Sequence, residues 1–292
     1  MDAPPTYRLL DCGFGRRLDA LGALVVDRPA PTADGPRHAP AQWTDAISYR
    51  SGRGWAAIDG RRPEHDAAQV EFDGIVMTAQ LGSGGQIGLF PEHAANAGWL
   101  RDAIRSRSAE APDWGPEVLN LFAHTGLLSL IAAAAGARVA HVDASRPAVQ
   151  TARLNAERSG LASKPVRWIV DDAVAFVKRE GRRDRRYAGF IIDPPSYGHG
   201  ARSEHGRGWQ FETGIDDLLD ACRAIAGTDA FWILSTHTPA WDPDRLANTL
   251  ERHVSEARDH AQPRELEIVA ESGAILRLGA AAFLDPWRST TR

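Results

Sequence analysis

The spacing of apolar residues divides the chain into two differently patterned parts. From Tyr7 to Met77 the apolar runs are short and bounded by turn residues. Tyr7-Arg8-Leu9-Leu10 and Ala23-Leu24-Val25-Val26 predict short strands, with Cys12-Gly13-Phe14-Gly15 as a glycine turn after the first. Pro29, Pro31, Pro36 and Pro40 predict an irregular, exposed connection. Val70 to Met77 alternates and predicts a hairpin that turns at Asp73-Gly74. Trp43, Tyr49 and Trp55 are the expected packing anchors. These features predict a small β-rich N-terminal domain over residues 1–90, then a helix from Glu92 to Arg105 within a connecting segment over 91–115. No internal repeat is visible.

From residue 116 the pattern changes. Val118, Leu119, Leu121 and Phe122 form an apolar run without alternation, which suits a strand buried on both faces of a parallel sheet. Small, turn-prone residues follow at Ala123-His124-Thr125-Gly126. Leu127 to Ala135 then predicts a buried helix ending at Gly136. Arg138 to Asp143 is a second strand, Ser145 a helix N-cap and Pro147 a first-turn residue of a helix running through Asn155. Trp168 to Ala173 and Tyr187 to Tyr197 are the third and fourth strands. A helix over Phe211 to Ala226 precedes a fifth strand at Ala230 to Leu234, and Asp242-Pro243 starts another helix. Leu266 to Ala270 and Ala274 to Leu278 close the sheet. Arg182-Arg183-Asp184-Arg185-Arg186 reads as a solvated basic connector. Strands alternating with helices over 116–292 predict an α/β, Rossmann-like domain.

A strand, a small-residue turn and a helix make the first half of a nucleotide-binding crossover, whose ligand sits at the strand's carboxyl end. The Gly-x-Gly-x-x-Gly of dinucleotide sites is absent, as is the Gly-Lys-Ser/Thr of a phosphate loop. A cradle with few glycines suits a nucleoside without a pyrophosphate. Asp143, at the tip of the next strand, can accept two hydrogen bonds from vicinal ribose hydroxyls. The third and fourth strands also end in acids, at Asp171-Asp172 and at Asp193-Pro194-Pro195. Three acidic tips in succession therefore converge on one crevice.

Composition narrows the surroundings. The 292 residues, 43% hydrophobic, can bury a large core. No apolar run approaches a membrane span, and Met1-Asp2-Ala3-Pro4-Pro5 is no signal peptide. With Cys12 and Cys222 the only cysteines, a disulfide framework is excluded and a reducing cytoplasm is expected. A formal net charge of −4 argues against indiscriminate coating of nucleic acid, so any RNA contact must come from local basic patches. Arg50, Arg53, Arg61 and Arg62 near Trp55 read first as a solvated face and second as such a patch.

Four stretches, Asn120 to Gly126, Val142 to Ser145, Val170 to Ala173 and Asp193-Pro194-Pro195-Ser196-Tyr197, resemble class I S-adenosylmethionine-dependent methyltransferases. More narrowly, with Gly85 to His93 upstream, the chain resembles the family that methylates cytosine C5 or guanine N7 of large-subunit ribosomal RNA. The resemblance covers roughly residues 80 to 240 well and the N-terminal part loosely. It implies a seven-stranded sheet with the small β-rich domain ahead of it and the last strand pair antiparallel. It also implies S-adenosylmethionine contacts from Asn120, Phe122, His124, Thr125, Gly126, Asp143, Ala144, Ser145, Asp172, Ala173 and Asp193, with Asp172 near the adenine amino group. Asp193, Pro194 and Tyr197 would face the methyl acceptor. Asp193 and the proline carbonyls could accept hydrogen bonds from an amine or base edge, while Tyr197 stacks on an aromatic ring.

Carbon methylation at cytosine C5 needs a thiolate that adds to the neighbouring ring carbon. Family members with that activity carry a cysteine just after the fifth strand, where this chain has Ser235-Thr236-His237-Thr238. Cys222 has the spacing of a core residue and Cys12 belongs to the other domain. A nitrogen acceptor on an RNA base, attacked without a cysteine, is therefore the expected chemistry. A small molecule or protein side chain as acceptor, and a non-catalytic cofactor- or RNA-binding homologue, are the alternatives. His124 and His237 could handle a proton at the crevice. No His/Cys spacing suggests a metal site. The Gly-rich, basic loop 198–209 is read as a lid or an exposed loop after Asp-Pro-Pro.

Overall fold

The structure is a computed structural model that describes residues 5–63, 67–108, 115–198, 209–254 and 260–289. The chain divides into two units, Met1–Ala94 with Glu267–Leu278, and Ala95–Leu266 with Gly279–Arg292.

In the first unit, β1 (Arg8–Gly13), β2 (Arg16–Leu21), β3 (Leu24–Pro29), β4 (Ile47–Arg50) and β5 (Gly54–Ala56) form one sheet in sequence order. The hairpin β6 (Ala67–Phe72) and β7 (Ile75–Gln80) turns at Asp73-Gly74 as expected. Three details differ from the expectation. Cys12 and Gly13 belong to β1, and the turn is Phe14-Gly15, both with positive φ. β2 was not foreseen, because Arg-Arg-Leu-Asp reads as surface. Its polar residues point inward instead. Asp19 is fully buried and accepts from Arg17 Nε at 3.0 Å, Arg28 Nε at 2.6 Å and Tyr7 Oη at 2.5 Å. Burial alone would raise its carboxyl, but Arg17 and Arg28 hold it below the ordinary range. The proline-rich connection is also less exposed than expected, since Ala30 and Ala33 are buried with Leu9, Cys12 and Leu276. Trp43 is buried as an anchor, and its indole N–H donates to Asp11. Arg50, Arg53, Arg61 and Arg62 are exposed.

The segment expected to be a helix over 92–105 starts as a 3-10 turn, Pro91–Asn96. The α-helix itself, α1 (Ala97–Ser108), begins in the second unit. There follow β8 (Glu117–Leu121), α2 (Leu127–Ala134), β9 (Arg138–Asp143), α3 (Arg146–Arg158), β10 (Val166–Val170), α4 (Ala173–Arg182) and β11 (Tyr187–Ile192). The chain continues through α5 (Phe211–Ala224), β12 (Ala226–Thr236), α6 (Pro243–Val254), β13 (Gln262–Val269), β14 (Ile275–Leu284) and the short α7 (Pro286–Ser289). The third strand thus stops before Asp171, the helix expected through Asn155 runs one turn further, and the helix expected to reach Ala226 ends at Ala224, with β12 starting at Ala226. Residues 267–278, at the tip of the last strand pair, group with the first unit.

The seven strands lie in the order β10-β9-β8-β11-β12-β14-β13, parallel from β10 to β12, with β14 antiparallel to β12. Val118, Leu119 and Leu121 of β8 are fully buried, as an unalternated run requires of a central strand. Each such side chain contributes about 1.5–3 kcal/mol of burial. The core continues through Phe190, Ile192, Leu218, Cys222 and Leu234. The order reverses at β8, which pairs with β9 on one side and β11 on the other. Such a switch point opens a crevice at the strands' carboxyl ends.

Candidate active site

Register places the acidic tips at nearly one height. Leu121 pairs with both Val142 and Ile192, so Phe122, Asp143 and Asp193 are the next residues on adjacent strands. Ile192 pairs with Leu234, which brings Ser235 beside Asp193, and Ser235 Oγ donates to Asp193 Oδ1 at 2.6 Å.

The loop between β8 and α2 is tightly held. Phe122 and His124 adopt positive φ (56° and 47°), a conformation that costs non-glycine residues energy and that surrounding bonds must maintain. Ala123 N donates to Val142 O at 3.1 Å, and Asn155 Nδ2, buried on α3, donates to Thr125 O at 3.0 Å. Gly126 has φ 95°, and a Cβ there would lie 2.9 Å from Ala152 Cβ. A larger residue would push α3 away from the loop.

Asp143 binds the same loop. Its Oδ2 accepts from His124 N and its Oδ1 from Ser145 N, both at 2.8 Å. One backbone donor on each oxygen fixes the carboxylate and leaves a second acceptor direction on each. That pair of free acceptor positions fits two vicinal hydroxyls of a ribose. Ser145 caps α3 as expected, accepting from Ala148 N at 3.3 Å. Asp172 is the N-cap of α4, with its Oδ1 accepting from Ala175 N at 2.9 Å, and Ala173 is buried as the first helical residue. Asp171 instead pairs with Arg179.

Asn120, expected among the cofactor contacts, is buried, and its side chain is turned into the domain. Its Nδ2 donates to Ser129 Oγ at 2.8 Å, and Ser129 Oγ lies 2.9 Å from His141 Nδ1. Burial, then the neighbouring His124, push His141 down to about 3, so it stays neutral. This polar chain beneath the loop escaped the sequence reading. Asn155 escaped it too, although it interrupts the apolar stripe of Ala148, Ala152 and Ala156 on α3. A polar residue on such a stripe is a readable signal.

At the end of β11, Trp209 is fastened to the Asp-Pro-Pro turn. Its indole N–H donates to Pro195 O at 2.7 Å, and its ring centroid lies 5.1 Å from that of Phe122. The Pro195 carbonyl therefore already holds a donor, which weakens its expected role as an acceptor for a base edge. Tyr197 bridges to Gln210, and Phe211 N donates to Ser196 O at 3.0 Å. Tyr197 is 76% exposed, so it is not a core residue. Residues 199–208 of the expected lid lie outside the described residues. His237 lies next to this turn, with a ring nitrogen within 4.8 Å of an Asp193 carboxylate oxygen. His124 Nδ1 is 3.3 Å from Thr125 Oγ1.

Both thiols are buried. Burial raises Cys222, and burial followed by the Asp11 charge raises Cys12, so neither is disposed to form a thiolate. No helix of the described residues is long and apolar enough to cross a membrane.

No family model matches the chain. Among curated proteins, it is 27% identical over 192 residues to the ribosomal RNA large subunit methyltransferase I of Photobacterium profundum, and 27% identical over 203 residues to that of Shewanella amazonensis. Each alignment covers 65% of this chain but 45% and 48% of the relative, so the chain spans about half the length of the curated relatives it matches. Among solved structures, the SAM-dependent methyltransferase from Agrobacterium tumefaciens superposes with a TM-score of 0.84 at 28% identity, covering 98% of this chain and 96% of that one. The relatives and this structural neighbour are thus methyltransferases, and the chain resembles the class I S-adenosylmethionine-dependent group in both sequence and fold.

Proposed function

We propose that this protein transfers the methyl group of S-adenosylmethionine to a nitrogen of an RNA base, without a cysteine nucleophile. The observation that carries the reading is the joint placement of Asp143, held by two backbone amides, and Asp193, held by Ser235, at the carboxyl ends of strands flanking the switch point. When bound, the cofactor supplies an electrophilic sulfonium methyl. Asp143 binds the ribose hydroxyls, and Asp172 accepts from the adenine amino group on the side its helix cap leaves open. The 122–126 loop, set by Asn155 and the Val142 carbonyl, shapes the cradle.

Asp193 accepts a hydrogen bond from the acceptor base, and the Pro194 carbonyl provides a second acceptor. Tyr197, with the Trp209–Phe122 pair behind it, offers aromatic surface for a planar ring. In-line alignment of an already activated methyl needs no strong base when the acceptor is a lone pair. A nitrogen that loses a proton on methylation can pass it toward His237 beside Asp193. The ribosomal RNA assignment of the curated relatives supports RNA as the substrate class. Burial of both thiols supports nitrogen over cytosine C5.

The competing reading, a small-molecule or protein acceptor, draws on the formal charge of −4. Asp193→Ala tests the assigned roles. It should lower turnover into ribosomal RNA at least roughly 100-fold while cofactor affinity changes less than about three-fold. A parallel fall in both would make Asp193 a cofactor ligand alone.

A further inference from the structure

The opposite end of the same sheet carries a cavity that the chemistry above does not use. It has a volume of about 250 Å³ and opens at the amino ends of β8, β9, β10 and β11, where Glu117, Arg138, Lys164, Arg167 and Tyr187 line it. The basic connector expected to be merely solvated is anchored here. Arg185 chelates Glu117 with two bonds, at 2.9 and 2.7 Å, and Arg183 reaches Glu180 at 3.2 Å. Arg138 lies 3.6 Å from Glu117, and Arg167 3.4 Å from Glu180. Tyr187 Oη donates to Glu180 Oε2 at 2.7 Å, so Glu180, although almost fully buried, is thoroughly satisfied.

Five cations, Arg138, Lys164, Arg167, Arg183 and Arg185, thus surround two carboxylates, Glu117 and Glu180. Arg138, Lys164 and Arg167 line the cavity itself, and the two carboxylates, which also pair with Arg183 and Arg185 behind it, cannot neutralise all five cations. Lys164 is exposed and has no carboxylate within ion-pair distance among the described residues. A chain with a formal charge of −4 has therefore concentrated fixed positive charge at one concave spot. Guanidinium groups held by carboxylate partners recognise the tetrahedral oxygens of a phosphate well.

We infer that this cavity seats a backbone phosphate of the RNA whose base is methylated, at a second contact point remote from the reacting atoms. The inference rests on the RNA reading above. The cavity lies one strand length from the crevice, roughly 16 Å for a strand of about five residues. A folded RNA segment can span that distance while presenting its target base at the carboxyl ends.

The test is binding of a structured large-subunit ribosomal RNA fragment to the full chain, measured by fluorescence anisotropy from about 50 to 300 mM salt. Lys164→Ala and the double variant Lys164→Ala, Arg138→Gln are compared with the parent protein. Removing one phosphate contact should flatten the slope of log affinity against log salt by about 0.7–0.9. That corresponds to roughly five- to eight-fold weaker binding at about 0.1 M salt for each phosphate released, taking 1 M as reference. The Michaelis constant for RNA should rise in step, while turnover at saturating RNA and cofactor affinity stay unchanged. Parental slope and affinity in both variants would overturn the inference while leaving RNA as substrate. Absence of salt-dependent RNA binding by the parent protein would instead remove the RNA reading on which the inference stands.

Discussion

Replacing Asp143 with Asn tests the cofactor cradle with little change of shape. The carboxylate is held by His124 N and Ser145 N at 2.8 Å each, and it retains one acceptor direction per oxygen for a ribose. Asn keeps one oxygen but turns the other into an N–H donor that faces a backbone N–H. It therefore loses at least one charge-assisted hydrogen bond to the ribose, worth about 1.5–3 kcal/mol. Because Asp143 is only half-buried and water competes for the hydroxyls, the lower half of that range applies. The dissociation constant for S-adenosylmethionine should rise about 10- to 40-fold. Asp143→Ala should be worse, since it also releases His124 N of the positive-φ loop and Ser145 N at the start of α3. Isothermal titration calorimetry measures the affinities, and thermal melts without cofactor confirm folding. A folded Asn variant that binds within two-fold of the parent would refute the ribose assignment.

Asp172→Asn should also weaken cofactor binding with the fold intact, because Asn caps α4 as well as Asp does. If calorimetry shows that only Asp171 substitutions matter, the adenine contact belongs to that residue. The double variant Cys12→Ser, Cys222→Ala should retain methyl transfer within a few-fold, with a stability loss of about 1 kcal/mol at the buried site. A folded variant without activity would restore carbon methylation. His141 stays neutral in the fold, with its proton affinity pushed down to about 3 by burial and His124, whereas the unfolded chain protonates it near pH 6.5. The unfolded state therefore binds more protons between those values, and stability falls as pH drops below about 6.5. Urea unfolding should show His141→Gln losing about 2 kcal/mol less than the parent between about pH 7 and pH 5. Equal losses would place His141 outside this linkage.

The second unit was readable because its physics is one-dimensional at the points that matter. An apolar run such as Val118, Leu119, Leu121 and Phe122 leaves no continuous polar face to offer water, so it reads as a central strand, and turn-prone residues after it read as the crevice. Register, which puts Asp143 and Asp193 at one height, follows from parallel pairing and cannot be read from spacing alone. β2 was hidden because Arg17 and Asp19 satisfy each other inside the first unit, and local pattern treats both as surface. The motif places Asn120 among the expected cofactor contacts, but the partner of its side chain, Ser129, is nine residues away on another element. The Trp209 bond to Pro195 likewise depends on where the chain returns after the loop. Pairs of this kind are tertiary facts, and only three-dimensional placement shows them.

The most direct measurement of the central claim follows tritiated methyl from labelled S-adenosylmethionine into fractionated RNA, protein and metabolites from cells lacking this gene, with digestion of the labelled fraction to nucleosides. The account predicts label in large-subunit ribosomal RNA, carried by a base nitrogen, retained with the cysteine double variant and abolished with Asp193→Ala. Label confined to protein or small molecules, or found at cytosine C5, would contradict it.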